Sequence, residues 1–418
     1  MNSYDAGSLQ SLLPSYYRRL FPFKAYCKWL CYNQKPGAYF ARREFAFILR
    51  DDVYLRYKTF LTSGFQAELE SAVQSLCPEK IDIGPVFNHR PSEHNRVRDF
   101  AAVERELIFD IDLTDYDDVR TCCQGGGMCQ KCWHFMSIAV SVLDRVLRED
   151  FGFKHLLFVY SGRRGVHCWV CDAEARALGN EGRSAVAEYI QIVTGGESQK
   201  KKVNLSKKRQ LHPSVAAAVD LVKPEMESLA EEQGWMDSDQ HLEAILSLIP
   251  SEEGFREDVR TAVLAESGAR NRWRTLRLST NFSDDAVSAA NQSRRDAVKM
   301  KFLYEEIILQ LAYPRLDINV TKGTNHLLKS PFIVHPKTGK VAVPFGAKNA
   351  RLFNADTVPT ITQLQQELNE LKENEDQAKK SLDYKRTSLA DYVESFNVFL
   401  DGLLKDCPAE PAKKDAHF

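Results

Sequence analysis

Two aspartates separated by one residue interrupt an apolar segment of the chain. In LIFDIDL, residues 107–113, Asp110 and Asp112 alternate with Phe109 and Ile111. Side chains two positions apart on a strand point to the same face, about 6–7 Å apart at Cα. Carboxylates so placed can converge on a pair of Mg²⁺ or Mn²⁺ ions, as two-metal phosphoryl transfer requires. The alternative is the solvent face of a sheet, because this motif alone is only a hypothesis.

A third carboxylate comes from a distant part of the sequence. PRLDINV predicts a second strand, in which Asp317 lies opposite Leu316 and Ile318. By itself Asp317 is typical of a solvated strand residue. Together with the first two aspartates it would complete a three-carboxylate metal site.

The segment SGRRGVH, residues 161–167, has the residue types of a phosphate site. Two glycines bracket two arginines in a turn between the predicted strands HLLFVY and GVHCWVCD. Backbone N–H groups and guanidinium forks in such a turn can bind one anion, and His167 can point to it. HLLKSPFIVHPKTGK adds Lys329 and His335. The alternative is a hairpin with solvated arginines, but beside a metal–carboxylate site a triphosphate cradle is the better interpretation.

CCQGGGMCQKC contains four cysteines, at positions 122, 123, 129 and 132. In an intracellular protein this spacing favours tetrahedral zinc over four free thiols, in a structural role. Adjacent cysteines reach one ion only with a local twist, so His134 could replace one of them.

Composition excludes several classes of protein. The chain has 418 residues, 44% hydrophobic and 27% charged, with a net charge of −1. It is therefore not basic overall, although a local basic groove for nucleic acid is compatible with these numbers. No apolar run reaches ~18 residues and the N-terminus lacks a signal-peptide pattern, so we expect an intracellular protein with no membrane span.

The elements needed to position these residues are strands and helices in separate blocks. EFAFILRDDVYLRYKTF predicts a hairpin, with Glu44 opposite Phe45 on one strand and Arg56 on the other. KIDIGPVF predicts a strand ending at Gly84-Pro85. Helical spacing dominates from Ser214 to about Pro314, the charged run 200–209 is predicted as a loop, and SLADYVESFNVFLDGLL predicts a tail helix.

The predicted fold class is α+β, a mixed β-sheet core with a helical insertion and a small zinc-binding knuckle. Four segments follow from the pattern: a first part of the core over residues 1–190, a mainly helical insertion over 191–302, a second part of the core over 303–350, and a helical tail over 351–418.

The chain closely resembles the small catalytic subunit of eukaryotic DNA primase, in the archaeo-eukaryotic primase superfamily. The resemblance covers residues 15–175 and 313–345 and is weak over 210–300 and 350–385. It is carried by these segments: YYRRLFPF, REFAF, DDVYLRY, KIDIGPVFNHRP, FDIDLTDYDDVRTCC, EDFGFKHLLFVYSGRRGVHCWVCD and PRLDINVTKGTNHLLKSPFIVHPKTGKVAVP.

The resemblance implies roles for particular residues. Asp110, Asp112 and Asp317 would bind the catalytic Mg²⁺ or Mn²⁺, with Glu44 also in the active site. Asp82 and Arg56 would lie near the nucleotide, where a carboxylate can accept a hydrogen bond from a ribose 2′-OH. The incoming nucleoside triphosphate would be held by Ser161, Gly162, Arg163, Arg164, Gly165, His167, His326, Leu328, Lys329 and His335. The zinc site would comprise Cys122, Cys123, Cys129 and Cys132.

The resemblance also implies a function and partners. We expect a nuclear DNA-directed RNA polymerase that makes short RNA primers on single-stranded DNA from ribonucleoside triphosphates. Its expected partners are a large iron–sulfur subunit, forming a heterodimer, and the DNA polymerase alpha complex.

Three alternatives stay open from the sequence. A related primase-polymerase would extend with deoxynucleotides, and a metal-dependent glycosyltransferase would also use D-x-D but leaves SGRRGVH unexplained. If the chain were a catalytically silent nucleic-acid-binding subunit, mutating Asp110 would leave the activity of the assembled complex unchanged.

Overall fold

The computed structural model contains both helices and β-sheets, which confirms the predicted α+β class. No helix in the described part of the chain is both long and apolar enough to cross a membrane. The chain divides into two units, the first with residues 1–110, 153–187 and 317–418, and the second with 111–152 and 188–316. The structure describes residues 4–34, 36–60, 65–195, 199–205, 210–251, 254–282, 301–373 and 382–407.

The strands form two sheets, with orders β2-β1-β3-β4, to which β8 is added at β3, and β5-β7-β6-β9. Their bounds are β1 Arg43–Ile48, β2 Tyr54–Lys58, β3 Lys80–Phe87, β4 Ala102–Glu104, β5 Leu107–Asp112, β6 Leu156–Tyr160, β7 Gly165–Val170, β8 Leu328–Lys329 and β9 Val343–Phe345.

Helices alternate with these strands along the chain and form most of the second unit. Their bounds are α1 Leu9–Arg19, α2 Phe23–Cys31, α3 Pro36–Tyr39, α4 Phe65–Leu76, α5 Gln130–Arg145, α6 Ala173–Arg176, α7 Asn180–Ile190, α8 Pro213–Val222, α9 Met226–Gln233, α10 Asp239–Leu246, α11 Phe255–Ala265, α12 Ala269–Thr280, α13 Leu303–Ala312, α14 Ile318–Lys322, α15 Ile361–Glu373 and α16 Ala390–Lys405.

The predicted β1–β2 hairpin is confirmed, but the predicted end of β3 at Gly84-Pro85 is wrong. The strand continues to Phe87 because a bulge absorbs the proline. Phe45 of β1 pairs with Ile83, whereas Arg43, two residues earlier, pairs with Val86, three residues later. An extra residue at this point accommodates a proline that cannot donate to the ladder.

The core of the first unit lies around β7, whose six residues are all buried. Strands enclosed on both faces lose the alternation of apolar and polar residues. Trp29 of α2 packs edge-on against Trp169 of β7, with ring centroids 5.3 Å apart, and against Phe396 of α16 at 5.9 Å. These contacts join the N-terminal and C-terminal helices to the sheet.

The second unit is helical, as the pattern predicts for residues 214–314, although residues 283–300 of that prediction lie outside the described part. Residues 200–205 of the predicted charged loop have no helix or strand, and 206–209 are also outside the described part. The core of the second unit includes Trp235, whose ring centroid lies 6.2 Å from that of Trp273. The Trp273 centroid lies 6.4 Å from that of Tyr304.

The predicted strand at PRLDINV is wrong. Asp317 instead precedes the short helix α14, and its carboxylate accepts a hydrogen bond from the backbone N–H of Asn319 at 3.1 Å. An aspartate in this position stabilises the free N–H groups of a first helical turn. That local interaction prevails over the strand preference of the β-branched residues that follow.

Candidate active site

β5 carries the first two predicted carboxylates. Its apolar residues are buried, whereas Asp110 and Asp112 are partly exposed, at positions of the strand that share one face. The Oδ1 atom of Asp112 accepts hydrogen bonds from the backbone N–H of Thr114 at 2.9 Å and from its hydroxyl at 2.8 Å. The turn after β5 therefore fixes one oxygen of Asp112.

Asp317 lies beside Asp110 although the two are far apart in the sequence. The backbone N–H of Asp317 donates to the carbonyl oxygen of Asp110 at 3.1 Å. His167 of β7 is buried, and its Nε2 lies 3.6 Å from Oδ1 of Asp110. Two of the three predicted metal-binding aspartates and one predicted nucleotide-binding residue are thus brought together.

His326 joins the same group. Burial lowers the pKa of its imidazole, and the neighbouring charge of Arg105 lowers it further, while Asp317 and Asp110 act in the opposite direction. His326 therefore lies within electrostatic reach of both aspartates. Arg105 was missed by sequence reasoning, since nothing local to it marks it as a neighbour of this site.

The predicted turn between β6 and β7 is present. The N–H of Ser161 donates to the carbonyl of Gly165 at 2.9 Å, and the N–H of Gly165 donates to the Ser161 hydroxyl at 3.1 Å. The hydroxyl of Tyr160 donates to the carbonyl of Arg163 at 2.9 Å. These bonds order the turn and leave Arg163 and Arg164 partly exposed.

Gly162 brings this turn against the segment that follows α14. It has φ +86°, and a Cβ here would lie 2.9 Å from Cβ of His335 and 3.0 Å from the carbonyl oxygen of Lys340. Only glycine fits this conformation and this close approach. The hydroxyl of Thr338 also donates to the Gly162 carbonyl at 2.6 Å.

The side chains of Lys329 and His335 lie at this turn. Lys329 Nζ donates to the carbonyl of Ser161 at 2.9 Å, and burial lowers the pKa of Lys329 to about 7. Burial also lowers the pKa of His335 to about 3, with added effects from the charges of Lys329, Arg163 and Lys80. Strongly shifted pKa values of neighbouring basic side chains are typical of a functional site, and these side chains suit an anion.

Glu44 and Arg56 lie on adjacent strands of the other sheet. Nε of Arg56 donates to Oε1 of the buried Glu44 at 2.8 Å, while Oε2 of Glu44 has no hydrogen-bond partner in the described part of the chain. A Cβ on Gly84 would lie 2.9 Å from Cβ of Glu44 and 2.7 Å from Cδ2 of Leu327. The sequence marked Gly84 only as a strand end, and its role is to let Glu44 approach the residues that follow His326.

Asp82 is tied to Lys329 through the sheet. It lies on β3 and pairs with Lys329 of β8, next to Leu328. Burial raises the pKa of Asp82, although Lys80 and Lys329 oppose that effect. Asp82 and Lys329 are therefore adjacent residues of one site.

The aspartates of β5 and of the start of α14 carry oxygen donors that suit a hard divalent cation. Asp110, Asp112 and Asp317 offer carboxylate oxygens, which Mg²⁺ and Mn²⁺ prefer over nitrogen or sulfur. On β1, in the other sheet, Oε2 of Glu44 is buried without a hydrogen-bond partner in the residues the structure describes. Such an atom is expected to acquire a cation or a donor.

The four predicted cysteines form one cluster in the second unit. Their sulfur atoms all lie within 4.8 Å of one another, close enough to hold one metal ion. Arg120, which sequence reasoning missed, donates to the carbonyls of Gly127 at 2.9 Å and Gly125 at 3.2 Å and lies 3.8 Å from Sγ of Cys132. It holds the glycine-rich loop in place and brings a positive charge to the thiols.

His134 does not belong to this cluster. Its Nδ1 lies 2.9 Å from a carboxylate oxygen of Glu232, and its Nε2 lies 2.8 Å from one of Glu225. Both ring nitrogens are engaged by helix α9 and the residue preceding it. The alternative in which His134 replaces a cysteine is therefore wrong.

A sequence profile of the family described as DNA primase small subunit matches residues 109–347, more than half of the chain. The chain belongs to this family. It is 42% identical to the DNA primase small subunit of Drosophila melanogaster, over 96% of this chain and 92% of the relative. Identity is 41% to that of Caenorhabditis elegans, over 96% and 100%, and 35% to that of Saccharomyces cerevisiae, over 96% and 93%.

Membership of the DNA primase small subunit family confirms the predicted enzyme class, a DNA-directed RNA polymerase of the nucleotidyltransferase type that acts in DNA replication. It also implies a complex with a large subunit and a DNA template. The matched span contains the aspartates, the turn at Ser161 and the cysteine cluster. Glu44, Arg56 and Asp82 precede the matched span but lie inside the longer region that aligns with the Drosophila melanogaster protein.

Proposed function

We propose that the chain synthesises short RNA primers on single-stranded DNA by two-metal nucleotidyl transfer at Asp110, Asp112 and Asp317. The observation that carries this proposal is the bond from the Asp317 N–H to the Asp110 carbonyl, which joins two carboxylates beside His167. Mg²⁺ or Mn²⁺ bound by the three carboxylates would lower the pKa of the attacking 3′-OH and stabilise the charge of the transition state.

The chain's own residues bind and orient the nucleotide. Lys329 and Arg163 offset charge on the triphosphate, and the N–H groups of the turn at residues 161–165 assist. His335 lies beside Lys329 and Arg163, and His167 beside Asp110. Asp82, next to Lys329 in the sheet, hydrogen-bonds the ribose 2′-OH. Arg56 fixes one oxygen of Glu44 and leaves the other available to the site. Ser161, Gly162, Arg164, Gly165, His326 and Leu328 complete the proposed nucleotide site.

The test is nucleotide incorporation by the purified chain on an oligo(dT) template with labelled ATP. Parallel reactions contain Mg²⁺ or Mn²⁺, a short RNA primer or none, and dATP in place of ATP. Ribonucleotide ladders support the proposal, whether they need the primer or not; a primer requirement assigns initiation to the partner. Preferential dATP incorporation supports the primase-polymerase alternative. If folded protein incorporates no nucleotide, the proposal that this chain is catalytic is contradicted.

Nucleotide affinity is expected to fall as pH rises through about 7. Lys329, whose pKa is lowered to about 7 by burial, loses its charge over this range in the free protein, and with it an attraction to the triphosphate. Lys329→Arg, which stays charged, should show a flatter profile. Titration with a fluorescent ATP analogue between about pH 6 and 8 measures both. Lys337→Arg, at an exposed neighbour, is the matched control; superimposable profiles for all three proteins contradict the role of Lys329.

We propose zinc as the ion of the cysteine cluster, because four thiolates favour tetrahedral Zn²⁺. Protein purified without chelator is expected to contain about one zinc per chain by mass spectrometry of the metal. Cys129→Ser should lose most of that zinc, since sulfur outside the set cannot replace it. Cys77→Ser, which changes a cysteine of the first unit outside the cluster, should keep it; equal loss in both variants, or wild-type protein without zinc, contradicts the assignment.

The finer statements on partners and organisation are proposals that rest on the family. We propose that the large subunit carries an iron–sulfur cluster, that the heterodimer joins DNA polymerase alpha, and that the chain acts in the nucleus. We also propose that residues 1–190 and 303–350 form the catalytic core, with 191–302 an insertion and 351–418 a tail. Co-purification of the tagged chain from nuclei, with iron analysis of the complex, tests the partners.

A further inference from the structure

The segment between β3 and β4, residues 88–101, has a defined conformation. We call it the arginine loop. Its ends are joined by Asn88, whose N–H donates to the carbonyl of Ala101 at 3.0 Å and whose side-chain oxygen accepts from the Ala101 N–H at 2.9 Å. The Asn88 amide also donates to the carbonyl of Asp99 at 2.6 Å. The loop is thus closed at its base.

The arginine loop is also fixed to the end of β2. The N–H of Ser92 donates to the hydroxyl of Thr59 at 3.2 Å. The ring of His94 stacks on that of Tyr57, with centroids 3.8 Å apart and planes inclined by 15°. Two contacts on one strand end keep the loop in a single position relative to the sheet.

A bulge in β2 lies at this contact. Phe45 of β1 pairs with Lys58, and Phe47 with Leu55, so β2 contains one extra residue here. Tyr57, in the bulge, has φ +55°, a conformation that is uncommon for residues other than glycine. The Arg56 guanidinium lies 4.8 Å from the Tyr57 ring and bonds Glu44. Bulges re-aim side chains beside functional sites, and this one links Glu44 to the loop through side chains in contact.

The charge around the arginine loop is positive, although the chain as a whole has a net charge of −1. Arg90, Arg96 and Arg98 are exposed, and none of them forms an ion pair with any residue that the structure describes. Within residues 88–101 the arginines Arg90, Arg96 and Arg98 outnumber the carboxylates Glu93 and Asp99.

We propose that the arginine loop binds the phosphate backbone of the nucleic acid strand held next to the active site. This inference rests on the proposed function, which places a polynucleotide there. Exposed arginines without carboxylate partners bind phosphate oxygens and release counterions. The loop rings of His94 and Phe100 are already stacked on Tyr57 of β2 and Phe87 of β3, so the contact is through charge and does not depend on base sequence.

The test is the affinity of Arg90→Ala/Arg96→Ala/Arg98→Ala for labelled single-stranded DNA and for an RNA–DNA duplex. Fluorescence anisotropy between about 50 and 200 mM salt should show ~10-fold weaker binding to at least one probe, and a salt slope lower by about 2. The loss should be the same for oligonucleotides of different sequence. The triple Lys variant should keep most of the affinity, because phosphate contacts need the charge more than the fork geometry.

The matched control is Arg18→Ala/Lys24→Ala/Lys28→Ala, which removes three exposed cations elsewhere in the first unit. The hydroxyl of Tyr17, next to Arg18 on α1, donates to the carbonyl of Pro78, which precedes β3. The arginine loop follows β3, so the length of this strand, about 23 Å, separates the two regions. The control should bind both probes as the wild type does. Unchanged affinity in the loop variant, or an equal loss in the control, overturns the inference.

Failure of this inference is distinguishable from failure of the proposed function. Asp110→Asn is expected to bind both probes like the wild type and to lose incorporation, whereas the loop variant loses affinity for the probe. If the wild type incorporates no nucleotide but the loop variant still loses affinity, the proposed function fails and the binding surface stands.

Discussion

Asp110→Asn is expected to lower the rate of ribonucleotide incorporation by about 10³-fold or more, equivalent to about 4 kcal/mol of transition-state stabilisation. The substitution removes the negative charge that a divalent cation needs and keeps the shape of the side chain. The carbonyl of residue 110 still accepts the bond from the Asp317 N–H, and the buried apolar residues of β5 are unchanged. The loss should therefore be catalytic and not structural.

The measurement is single-turnover extension of an RNA primer on oligo(dT) at saturating ATP and metal. Asp220→Asn, the same change at an exposed position of α8, is the matched control and should retain the wild-type rate. Thermal melting of both variants should stay within about 2 °C of the wild type. If Asp110→Asn stays within a factor of ten of the wild-type rate, Asp110 does not hold the catalytic metal.

The three aspartates show which structural features a local sequence pattern can predict. The alternation in LIFDIDL predicted the strand β5 and the shared face of Asp110 and Asp112, because a period of two is imposed by strand geometry itself. The same reasoning gave the wrong element at Asp317, where side-chain capping starts a helix. The sequence offered Asp317 as a third carboxylate and the resemblance assigned it to the site of Asp110, but the backbone bond that joins these distant segments is not encoded by a local pattern.

The sequence predicted which residues form the phosphate site, but it did not predict how they contact one another. Glycines and arginines in SGRRGVH predicted the turn, which is present between β6 and β7. The reason for Gly162 is different from the one a local pattern indicates, because its missing side chain makes room for His335. Likewise, the bulge at Tyr57 and its stacking on His94 arise from pairing between strands and loops that a sequence pattern does not encode.

The cysteine cluster was predicted from spacing because its four cysteines lie within one short segment, residues 122–132. Nothing in that segment showed that His134 is held by Glu225 and by Glu232 of α9. A cluster whose members are close in sequence can therefore be identified from sequence. The surrounding residues that exclude a competitor, or that support the site as Arg120 does, cannot.

The largest effect on stability is expected from Glu106, which no pattern singled out. Glu106 is fully buried and accepts two bonds from Arg43, at 2.9 Å each, and one from Arg105 at 2.9 Å. The hydroxyl of Tyr32 donates a further bond at 2.6 Å. Both arginines are themselves fully buried, so this carboxylate is the counter-charge of a cluster that has no access to water.

Glu106→Gln is expected to lower the free energy of unfolding by about 3–5 kcal/mol, because it leaves Arg43 and Arg105 buried without their negative partner. Urea unfolding followed by fluorescence measures the shift in midpoint. The matched control is Glu149→Gln, which removes the exposed partner of Arg145 and should cost no more than about 0.5 kcal/mol. Equal midpoints for the two variants would show that the arginines are compensated in another way.

The dependence of this effect on pH gives an independent check. Burial alone would raise the pKa of Glu106, but Arg43 and Arg105 outweigh it and hold that pKa well below its ordinary value of 4.5. A carboxyl with a lowered pKa in the folded state contributes stability above its unfolded pKa, and the contribution is lost as pH falls toward the folded pKa. The gap in unfolding midpoint between wild type and Glu106→Gln should therefore be full at neutral pH and narrow below about pH 4.5. A gap that stays constant on acidification would assign the loss to packing and not to the charge of Glu106.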